Sequence, residues 1–404
     1  MAFRSFLLAT SLASGLSSAA VLDLPIVHRN SYDLVEFDVG TPATKYHLLF
    51  DTGSATSWIV DQNCAEECSN FSGFERAGYN VDNSTTGKLT GRWGEIEYFG
   101  GVTAGLIAND VFKSGKVSWN QSFIAASQSS WGNIPGEGFF GLAFNSITVG
   151  DADTIMYTLT PKLDAPKFGL YYGPQSDRDG GKGRLTLGAS KASTYTDGKL
   201  TKVPIVPTDG KYDVWASVIN SATGSQTING KKVKKTTDLN AGRVVFDTGA
   251  GRISLPKGQV EAVYESIGMN WTAIMEDGYR PLCSDFNSTW SVSFSFGDAN
   301  ARNPAVVTLT GDQLATPGFA MEDKYCWPPF DEGDFEGFTL IGKDMLSHFY
   351  TVWDFGAKEE AQYKPTLSFG TLKKGSGVNR KRIDALQRDI LLRPIPIEGH
   401  QKPR

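Results

Sequence analysis

A six-residue motif occurs twice in this 404-residue chain and limits the folds open to it. Residues 48–53 read LLFDTG and residues 244–249 read VVFDTG, so that Asp51 and Asp247 begin the same triplet in the two halves of the chain. An apolar run ending in glycine follows each motif at a similar distance, at Gly141 after the first and at Gly342 after the second. One Asp-Thr-Gly triplet is ordinary turn chemistry, but a repeated triplet with a repeated partner is not plausibly chance. We expect two similar halves related by a pseudo-twofold axis, with the two loops meeting at that axis.

Short segments of alternating apolar and polar residues, separated by Gly, Asn and Asp, make up most of the chain. Alternation that includes β-branched and aromatic residues is typical of strands. It occurs in residues 32–42, 45–53, 93–108, 183–189 and 290–296. Asn229-Gly230 predicts a tight hairpin turn, and short helices are expected around residues 259–267 and 343–348. The predicted fold class is mostly β.

Two carboxylates at a pseudo-twofold axis have a defined chemistry. If Asp51 and Asp247 lie side by side, both cannot ionise cheaply, so they share one proton and titrate as a unit. One carboxylate can then accept a proton from water while the other protonates a carbonyl oxygen. This is the chemistry of amide hydrolysis by direct attack of water, without a covalent intermediate.

The residues after each aspartate fit this arrangement. Thr52 and Thr248 are expected to support the two loops through hydrogen bonds. Gly53 and Gly249 are expected to permit the tight turn and a close approach of backbone to the carboxylates. For either triplet alone a polar turn would be the better interpretation, and it is the pair that favours a catalytic site.

The composition argues against several other classes of function. A formal net charge of −5 does not fit a nucleic-acid binder, which normally carries a basic face. The four histidines are scattered at positions 28, 47, 348 and 400, and there are only four cysteines, so little is left for a metal cluster. The sequence contains neither G-x-S-x-G nor H-E-x-x-H, which mark serine hydrolases and zinc proteases. We expect no metal and no cofactor.

The N-terminus and the cysteines indicate an exported protein. Residues 1–20 predict a secretory signal peptide, with Arg4 before an apolar stretch and small residues before a cut after Ala20. A buried N-terminal helix is the alternative, which the Ser and Gly content disfavours. No other stretch reaches the ~18 apolar residues of a membrane span. An even cysteine count in an oxidising compartment favours two disulfides over a zinc site. Five sequons are glycosylation candidates: Asn70, Asn83, Asn120, Asn270 and Asn287.

From about Tyr32 to Gly370 the chain resembles the pepsin-like aspartic proteases. VGTPATKYHLLFDTGSATSWIV is similar to the family's first active-site strand and loop, GRLTLGASKASTYTDGKLTKVPI to its crossing between lobes, and FTLIGKDMLSHFYTVWDF to its C-terminal signature. The resemblance implies two pseudo-twofold-related, β-barrel-like lobes with an active-site cleft between them. It also implies that Asp51 and Asp247 are the catalytic dyad of an acid-range endopeptidase that cuts extended peptides between bulky apolar residues.

Further residues carry over from this resemblance. Tyr98 matches the tyrosine of the β-hairpin flap that closes over bound peptide, and Trp58 matches the tryptophan that hydrogen-bonds it. Without the resemblance both would be interpreted as ordinary strand aromatics. Ser54 matches the hydroxyl that hydrogen-bonds the first catalytic carboxylate. The pairs Cys64–Cys68 and Cys283–Cys326 fall where the family has disulfides.

Three features depart from the family's pattern. Ala250 stands where the family usually has Thr or Ser; a missing hydrogen bond to a carboxylate should raise a dyad pKa. We therefore expect a less acidic optimum than in relatives with a hydroxyl there. Phe99 occupies a flap position where the family usually has Gly, which bears on flap fit and subsite preference. The stretch from Val21 to Asp51 is too short for a full pro-segment, and residues 22–29 are either its remnant or the first strand.

The expected organisation has four parts. They are a signal peptide (1–20), an N-terminal lobe with the first triplet and the flap (21–195), a C-terminal lobe with the second triplet (196–370) and a basic tail (371–404). The tail carries nine Lys/Arg against three Asp/Glu. A flexible end is the favoured interpretation, with processing at residues 379–382 as the alternative.

Together these features predict a secreted, monomeric aspartic endopeptidase that acts on extended peptide or protein substrates. No nucleic-acid partner and no transmembrane segment are expected. The alternative is a relative that keeps the fold but binds a glycan or inhibits another enzyme. Such relatives commonly lose a dyad residue or a loop glycine, and here both Asp-Thr-Gly triplets are intact.

Overall fold

The computed structural model describes residues 20–64, 66–174 and 181–373. The expected signal peptide, apart from Ala20, and the tail beyond Lys373 lie outside the described residues. Strands predominate over short helices in the described ranges, and the predicted mostly β fold class is confirmed. No helix within these ranges is long and apolar enough to cross a membrane.

The strands are numbered in chain order. They are β1 Leu22–Pro25, β2 Val27–Arg29, β3 Tyr32–Val39, β4 Thr44–Asp51, β5 Trp58–Val60, β6 Lys88–Tyr98, β7 Gly101–Ser114, β8 Val117–Ser129, β9 Gly138–Gly141, β10 Lys167–Tyr171, β11 Arg184–Leu187, β12 Thr196–Pro204, β13 Ala216–Ile228, β14 Lys231–Phe246, β15 Ile253–Leu255, β16 Trp290–Phe296, β17 Ala305–Thr310, β18 Asp331–Glu332, β19 Phe338–Ile341, β20 Phe349–Asp354 and β21 Thr366–Leu372. The α-helices are α1 Ile155–Leu159, α2 Ala192–Tyr195, α3 Val260–Ser266, α4 Trp271–Met275, α5 Gly311–Leu314 and α6 Lys343–Leu346.

The strands form three sheets. An eight-stranded sheet, in the order β2-β3-β4-β9-β5-β8-β7-β6, is built from the first half of the chain. A seven-stranded sheet, β17-β16-β13-β14-β19-β15-β18, is built from the second half. The third sheet, β1-β11-β10-β20-β21-β12, takes strands from both halves and joins them. The lobe boundary expected between residues 195 and 196 falls where α2 ends and β12 begins, and β12 is itself a strand of this shared sheet. The division of the chain into two lobes at this point stays a prediction.

The repeated motif corresponds to a repeated piece of structure. In the first half β4 runs parallel to β9, pairing Asp51 with Gly141, and β9 runs antiparallel to β5. In the second half β14 runs parallel to β19, and β19 runs antiparallel to β15. Phe50 and Phe246, which precede the two aspartates, are fully buried. Each Asp-Thr-Gly loop therefore leaves the core from a fixed strand end, held beside the apolar run predicted to be its partner.

Local sequence patterns account for several elements. Strand β16 buries every second residue from Trp290 to Phe296, as its alternation predicted. Asn229 and Gly230 have φ angles of 50° and 73° and form the turn between β13 and β14, the left-handed conformation that Asn-Gly favours. Helices α3 and α6 lie within the two expected helical regions. Residues 22–29, for which the sequence allowed either a pro-segment remnant or a first strand, contain β1 and β2.

Both disulfides implied by the resemblance are present. The Cα atoms are 5.4 Å apart in Cys64–Cys68 and 4.8 Å apart in Cys283–Cys326. Four sequon asparagines are exposed and Asn287 is half-buried, so their glycosylation stays a prediction. No group of residues suited to hold a metal ion occurs among the described residues.

Candidate active site

The structure brings Asp51 and Asp247 together. Asp51 ends β4 and is 3% exposed, while Asp247 directly follows β14. Their side chains are hydrogen-bonded to each other. Matching backbone bonds fix them, because the Gly53 N–H donates to Oδ1 of Asp51 at 2.8 Å and the Gly249 N–H donates to Oδ1 of Asp247 at 2.7 Å. Two loops from opposite halves of the chain thus present one pair of carboxyl groups.

The two glycines are required by the closeness of the loops. A Cβ atom on Gly53 would lie 2.6 Å from Oδ2 of Asp247, and one on Gly249 would lie 2.7 Å from Oδ1 of Asp51. Both distances are well inside van der Waals contact. Each loop therefore needs glycine because the carboxyl group of the other loop occupies the space of a side chain.

The two threonines join the loops by reciprocal hydrogen bonds. The Thr52 N–H donates to Oγ1 of Thr248 at 3.0 Å, and the Thr248 N–H donates to Oγ1 of Thr52 at 2.9 Å. Each hydroxyl in turn donates to the carbonyl before the opposite aspartate, Phe246 and Phe50 respectively, at 2.9 Å. All four groups lie in the core, where an unpaired partner is costly, so these bonds fix the separation of the carboxyl groups.

The two carboxyl groups differ in their surroundings. Asp51 also accepts a hydrogen bond from the Ser54 hydroxyl at 2.5 Å. The corresponding residue after Gly249 is Ala250, whose methyl group donates nothing and whose backbone N–H alone reaches Asp247. Burial, followed by the negative charge of Asp51, holds the pKa of Asp247 well above its ordinary value, against the two backbone N–H groups. These surroundings favour the protonated form of Asp247.

A hairpin covers the pair. Strands β6 and β7 are joined through Phe99 and Gly100, and Tyr98 ends β6 just before the turn. The Trp58 indole N–H donates to the Tyr98 hydroxyl at 3.0 Å, and that hydroxyl is hydrogen-bonded to Ser54. Hydrogen bonds thus connect Trp58 to the Tyr98 hydroxyl of the flap, and that hydroxyl to Ser54, whose own hydroxyl donates to Asp51.

Two aromatic residues that were not predicted from the sequence pack against the ring of Tyr98. Trp131 and Phe139 pack against it with ring centroids 5.5 and 5.3 Å away. Burial, followed by the charge of Asp51, raises the pKa of Tyr98 far above its ordinary value, so the hydroxyl stays neutral. Phe139 lies in the apolar run before Gly141, but nothing in the sequence marked Trp131.

Phe99 projects from the tip of the flap. It is 70% exposed, and its ring centroid lies 6.2 Å from that of Phe338, at the start of β19 on the opposite side of the cleft. Phe338 was also not singled out from the sequence, although it opens the apolar run that partners the second triplet. The aromatic residue expected to affect flap fit thus contacts the far wall directly.

The flap roofs an open cleft of about 950 Å³ between the two halves. The aspartates and their loops form its floor. Apolar side chains supply most of its walls, among them Ile96, Ile147, Val149, Val245 and Leu340. A cleft of this size with mostly apolar walls has room for a short stretch of polypeptide.

Comparison with known proteins gives a consistent result. The sequence model of the family described as eukaryotic aspartyl protease matches residues 32–361. Rhizopuspepsin-2 from Rhizopus niveus is 27% identical over 356 residues, which cover 85% of this chain and 82% of the relative. The vacuolar aspartic protease of Candida albicans is 26% identical over 345 residues (82% and 75%), and pepsin A of Sus scrofa is 26% identical over 325 residues (78% and 77%).

Proposed function

Because the chain belongs to the eukaryotic aspartyl proteases and is an aspartic-type endopeptidase, we propose that Asp51 and Asp247 hydrolyse its peptide substrates by activating water between them. The observation that carries this proposal is the geometry of the pair. Two hydrogen-bonded carboxyl groups from separate loops lie on the floor of a cleft, and only one of them has a hydroxyl donor.

The difference between the carboxyl groups assigns their roles. Asp51, ionised and supported by Ser54, takes a proton from the attacking water as the water oxygen bonds to the peptide carbonyl carbon. Asp247 gives its proton to the carbonyl oxygen, which produces a neutral tetrahedral diol. In the second step one hydroxyl proton of the diol returns to Asp247 and the proton on Asp51 passes to the nitrogen. The C–N bond then breaks, giving a carboxylic acid and an amine, and the dyad regains its original state.

The flap is proposed to hold the substrate and exclude water. Tyr98 is neutral and fixed by Trp58 and Ser54, so it covers the dyad without adding a charge. A closed roof strengthens the interactions of the carboxyl groups with the reacting amide, because it keeps solvent away from them. Trp131 and Phe139 support this roof through the ring of Tyr98.

The proposed substrates are extended peptides or unfolded protein segments with bulky apolar residues beside the scissile bond. The apolar walls of the cleft support this preference. We also propose that the chain acts as a monomer, since both carboxyl groups and the flap come from one chain.

The proposed location is extracellular. Two disulfides are consistent with an oxidising compartment, whereas residues 1–19 of the expected signal peptide lie outside the described residues. The name of the Candida albicans relative places that protein in the vacuole, which an exported chain can also reach. Expression of the full chain in a eukaryotic host, with the protease measured in medium and in cell fractions, separates the two locations.

One experiment tests the function. The purified chain digests a denatured protein at about pH 3–6, with and without a pepstatin-type inhibitor, beside Asp51→Asn. We expect cleavage that both the inhibitor and the substitution abolish. Binding of the inhibitor without cleavage at any pH would instead support the non-catalytic binding protein considered from the sequence.

A further inference from the structure

One acidic and two basic side chains form a cluster where the two halves meet, outside the residues that line the cleft. Asp33 on β3 is 3% exposed. Its Oδ2 lies 2.7 Å from Nζ of Lys343, which begins α6 in the second half of the chain. Its Oδ1 contacts Nδ1 of His28 on β2. The Lys343 ammonium group also donates to the carbonyl of Ser31. One carboxylate thus joins two basic groups from opposite halves of the sequence.

The contacts of His28 favour a doubly protonated ring. Nδ1 faces the Asp33 carboxylate, and Nε2 lies 3.0 Å from the carbonyl oxygen of Tyr172. Both of these partners accept hydrogen bonds and neither donates one. A neutral imidazole has a single N–H, so one of its nitrogens would present a lone pair to an acceptor. The imidazolium form presents an N–H to each of these acceptors, whereas a neutral ring presents an N–H to only one of them.

Lys343 also connects this cluster to the second active-site loop. Its backbone N–H donates to the carbonyl of Ala250 at 2.9 Å, and the N–H of Asp344 donates to the carbonyl of Gly251 at 2.9 Å. The backbone of Lys343 therefore holds the loop that carries Asp247, while its side chain is anchored on β3 of the other half.

We propose that His28, Asp33 and Lys343 are positioning residues that keep the Asp247 loop aligned with the first half of the chain, and that they do so only while His28 is protonated. The catalytic consequence of this proposal rests on the proposed function, but the protonation and its effect on stability do not. When His28 loses a ring proton, the nitrogen that lost it directs a lone pair toward an oxygen acceptor. The anchor of Lys343 is weakened as a result.

The charges around the cluster set the pH range. Burial alone would lower the pKa of His28, but the hydrogen bond and charge of Asp33 outweigh it and the repulsion of Lys343, so that pKa is raised. Burial would raise the pKa of Asp33, but Lys343 and His28 lower it to about 2. Burial keeps the hydroxyl of Tyr172, which also faces this cluster, neutral by raising its pKa.

The signs of these shifts define a window. The stability that His28 contributes is complete below its unfolded pKa of about 6.5 and is lost as the pH rises through its raised folded pKa. The contribution of Asp33 is present above its unfolded pKa and is lost as the pH falls through about 2. The cluster is therefore intact at acid pH, above the titration of Asp33, and is released as the pH rises through the raised pKa of His28.

Thermal unfolding between about pH 5 and pH 9 tests the proposal in an Asp51→Asn background, which prevents autolysis. At pH 5 we expect His28→Gln to lower the Tm by about 2 °C or more relative to the Asp51→Asn parent. This difference in Tm should disappear as the pH approaches 9. His47→Gln is the matched control. His47 is half-buried with its pKa lowered chiefly by burial, so any gap it produces should grow with pH. A His28→Gln gap that stays constant from pH 5 to pH 9 would overturn the proposal.

Two further measurements guard against variants that fail to fold. In ¹⁵N NMR of the Asp51→Asn chain, His28 should carry two ring protons at pH 6 and titrate above the ordinary histidine pKa; a neutral ring at pH 6 would refute the protonation. In the active chain, Lys343→Met should lower kcat by about tenfold or more with little change in KM, and Lys343→Arg should restore it. Equal losses in both variants would contradict the anchoring role. The NMR result stands even if the chain proves to have no protease activity.

Discussion

Replacing Ala250 with serine tests which carboxyl group holds the shared proton. The Ser54 hydroxyl donates to Oδ2 of Asp51 at 2.5 Å, three residues after that aspartate. Ala250 stands three residues after Asp247, and the backbone bonds of the two loops are alike, at 2.8 Å from Gly53 and 2.7 Å from Gly249. A hydroxyl at position 250 should therefore reach Asp247 much as Ser54 reaches Asp51.

The size of the effect follows from the strength of such a bond. A hydrogen bond to a charged group contributes about 1.5–3 kcal/mol, and one pKa unit corresponds to about 1.4 kcal/mol. Because the new donor favours the ionised form, the pKa of Asp247 should fall by about 1–2 units from its raised value. The dyad then loses its shared proton at a lower pH. In the profile of kcat/KM against pH, the high-pH limb should therefore shift to lower pH by about 1–2 units, while the low-pH limb changes little.

The assay is kcat/KM for one extended peptide from about pH 2 to pH 8, with wild type, Ala250→Ser and the control Ser54→Ala. The control removes the hydroxyl donor of Asp51 and leaves the surroundings of Asp247 unchanged, so it should alter the low-pH limb and leave the high-pH limb in place. The two substitutions thus act on opposite limbs. An Ala250→Ser profile with an unchanged high-pH limb would refute both the proton placement and the expectation of a less acidic optimum.

Three other substitutions probe the supports of the dyad. Gly249→Ala places a methyl carbon 2.7 Å from Oδ1 of Asp51, so kcat should fall by about 100-fold or more with thermal unfolding still cooperative; activity within about twofold of wild type would contradict the steric argument. Thr248→Val removes a hydroxyl that donates one hydrogen bond and accepts another between the loops, so urea unfolding should show a loss of about 2–4 kcal/mol, and a loss below about 1 kcal/mol would refute this. Trp58→Phe removes the donor to Tyr98, so kcat/KM should fall by about tenfold with both pH limbs unmoved; shifted limbs would show that Trp58 acts on the dyad itself.

Much of the site was predictable because the sequence repeats itself. The duplicated triplet and the repeated apolar run ending in glycine indicated two similar halves, and the structure shows that each run pairs with the strand before its aspartate, β9 with β4 and β19 with β14. The need for glycine at position 53 could also be anticipated. A close approach of backbone to the carboxylates was expected as its cause, but the sequence did not show that the crowding carboxyl group belongs to the opposite loop, which becomes a neighbour only after both halves fold.

The features that escaped sequence reasoning depend on contacts between distant segments. The six-stranded sheet pairs β10 with β20, which belongs to the other half of the chain, and neither strand carries a signal for its partner. The bond between Asp33 and Lys343 spans 310 residues, and although Lys343 lies in the C-terminal signature, nothing in either segment marks the other residue as its partner. Phe338 looked like one more apolar residue of a strand, yet it meets the flap tip. The alternation of apolar and polar residues and the turn residues determine local structure. Which strands and side chains of the two halves contact each other depends on packing in the folded protein.

The central claim is that Asp51 and Asp247 act as one catalytic unit, and a double-mutant cycle on kcat tests it most directly. Wild type, Asp51→Asn, Asp247→Asn and the double substitution are compared on one extended peptide at the wild-type optimum, with folding checked by thermal unfolding. We predict that each single substitution lowers kcat by about 100- to 10,000-fold, and that the double substitution costs little more than either alone. Losses that multiply, or a single variant that keeps more than about a tenth of the wild-type rate, would contradict the account.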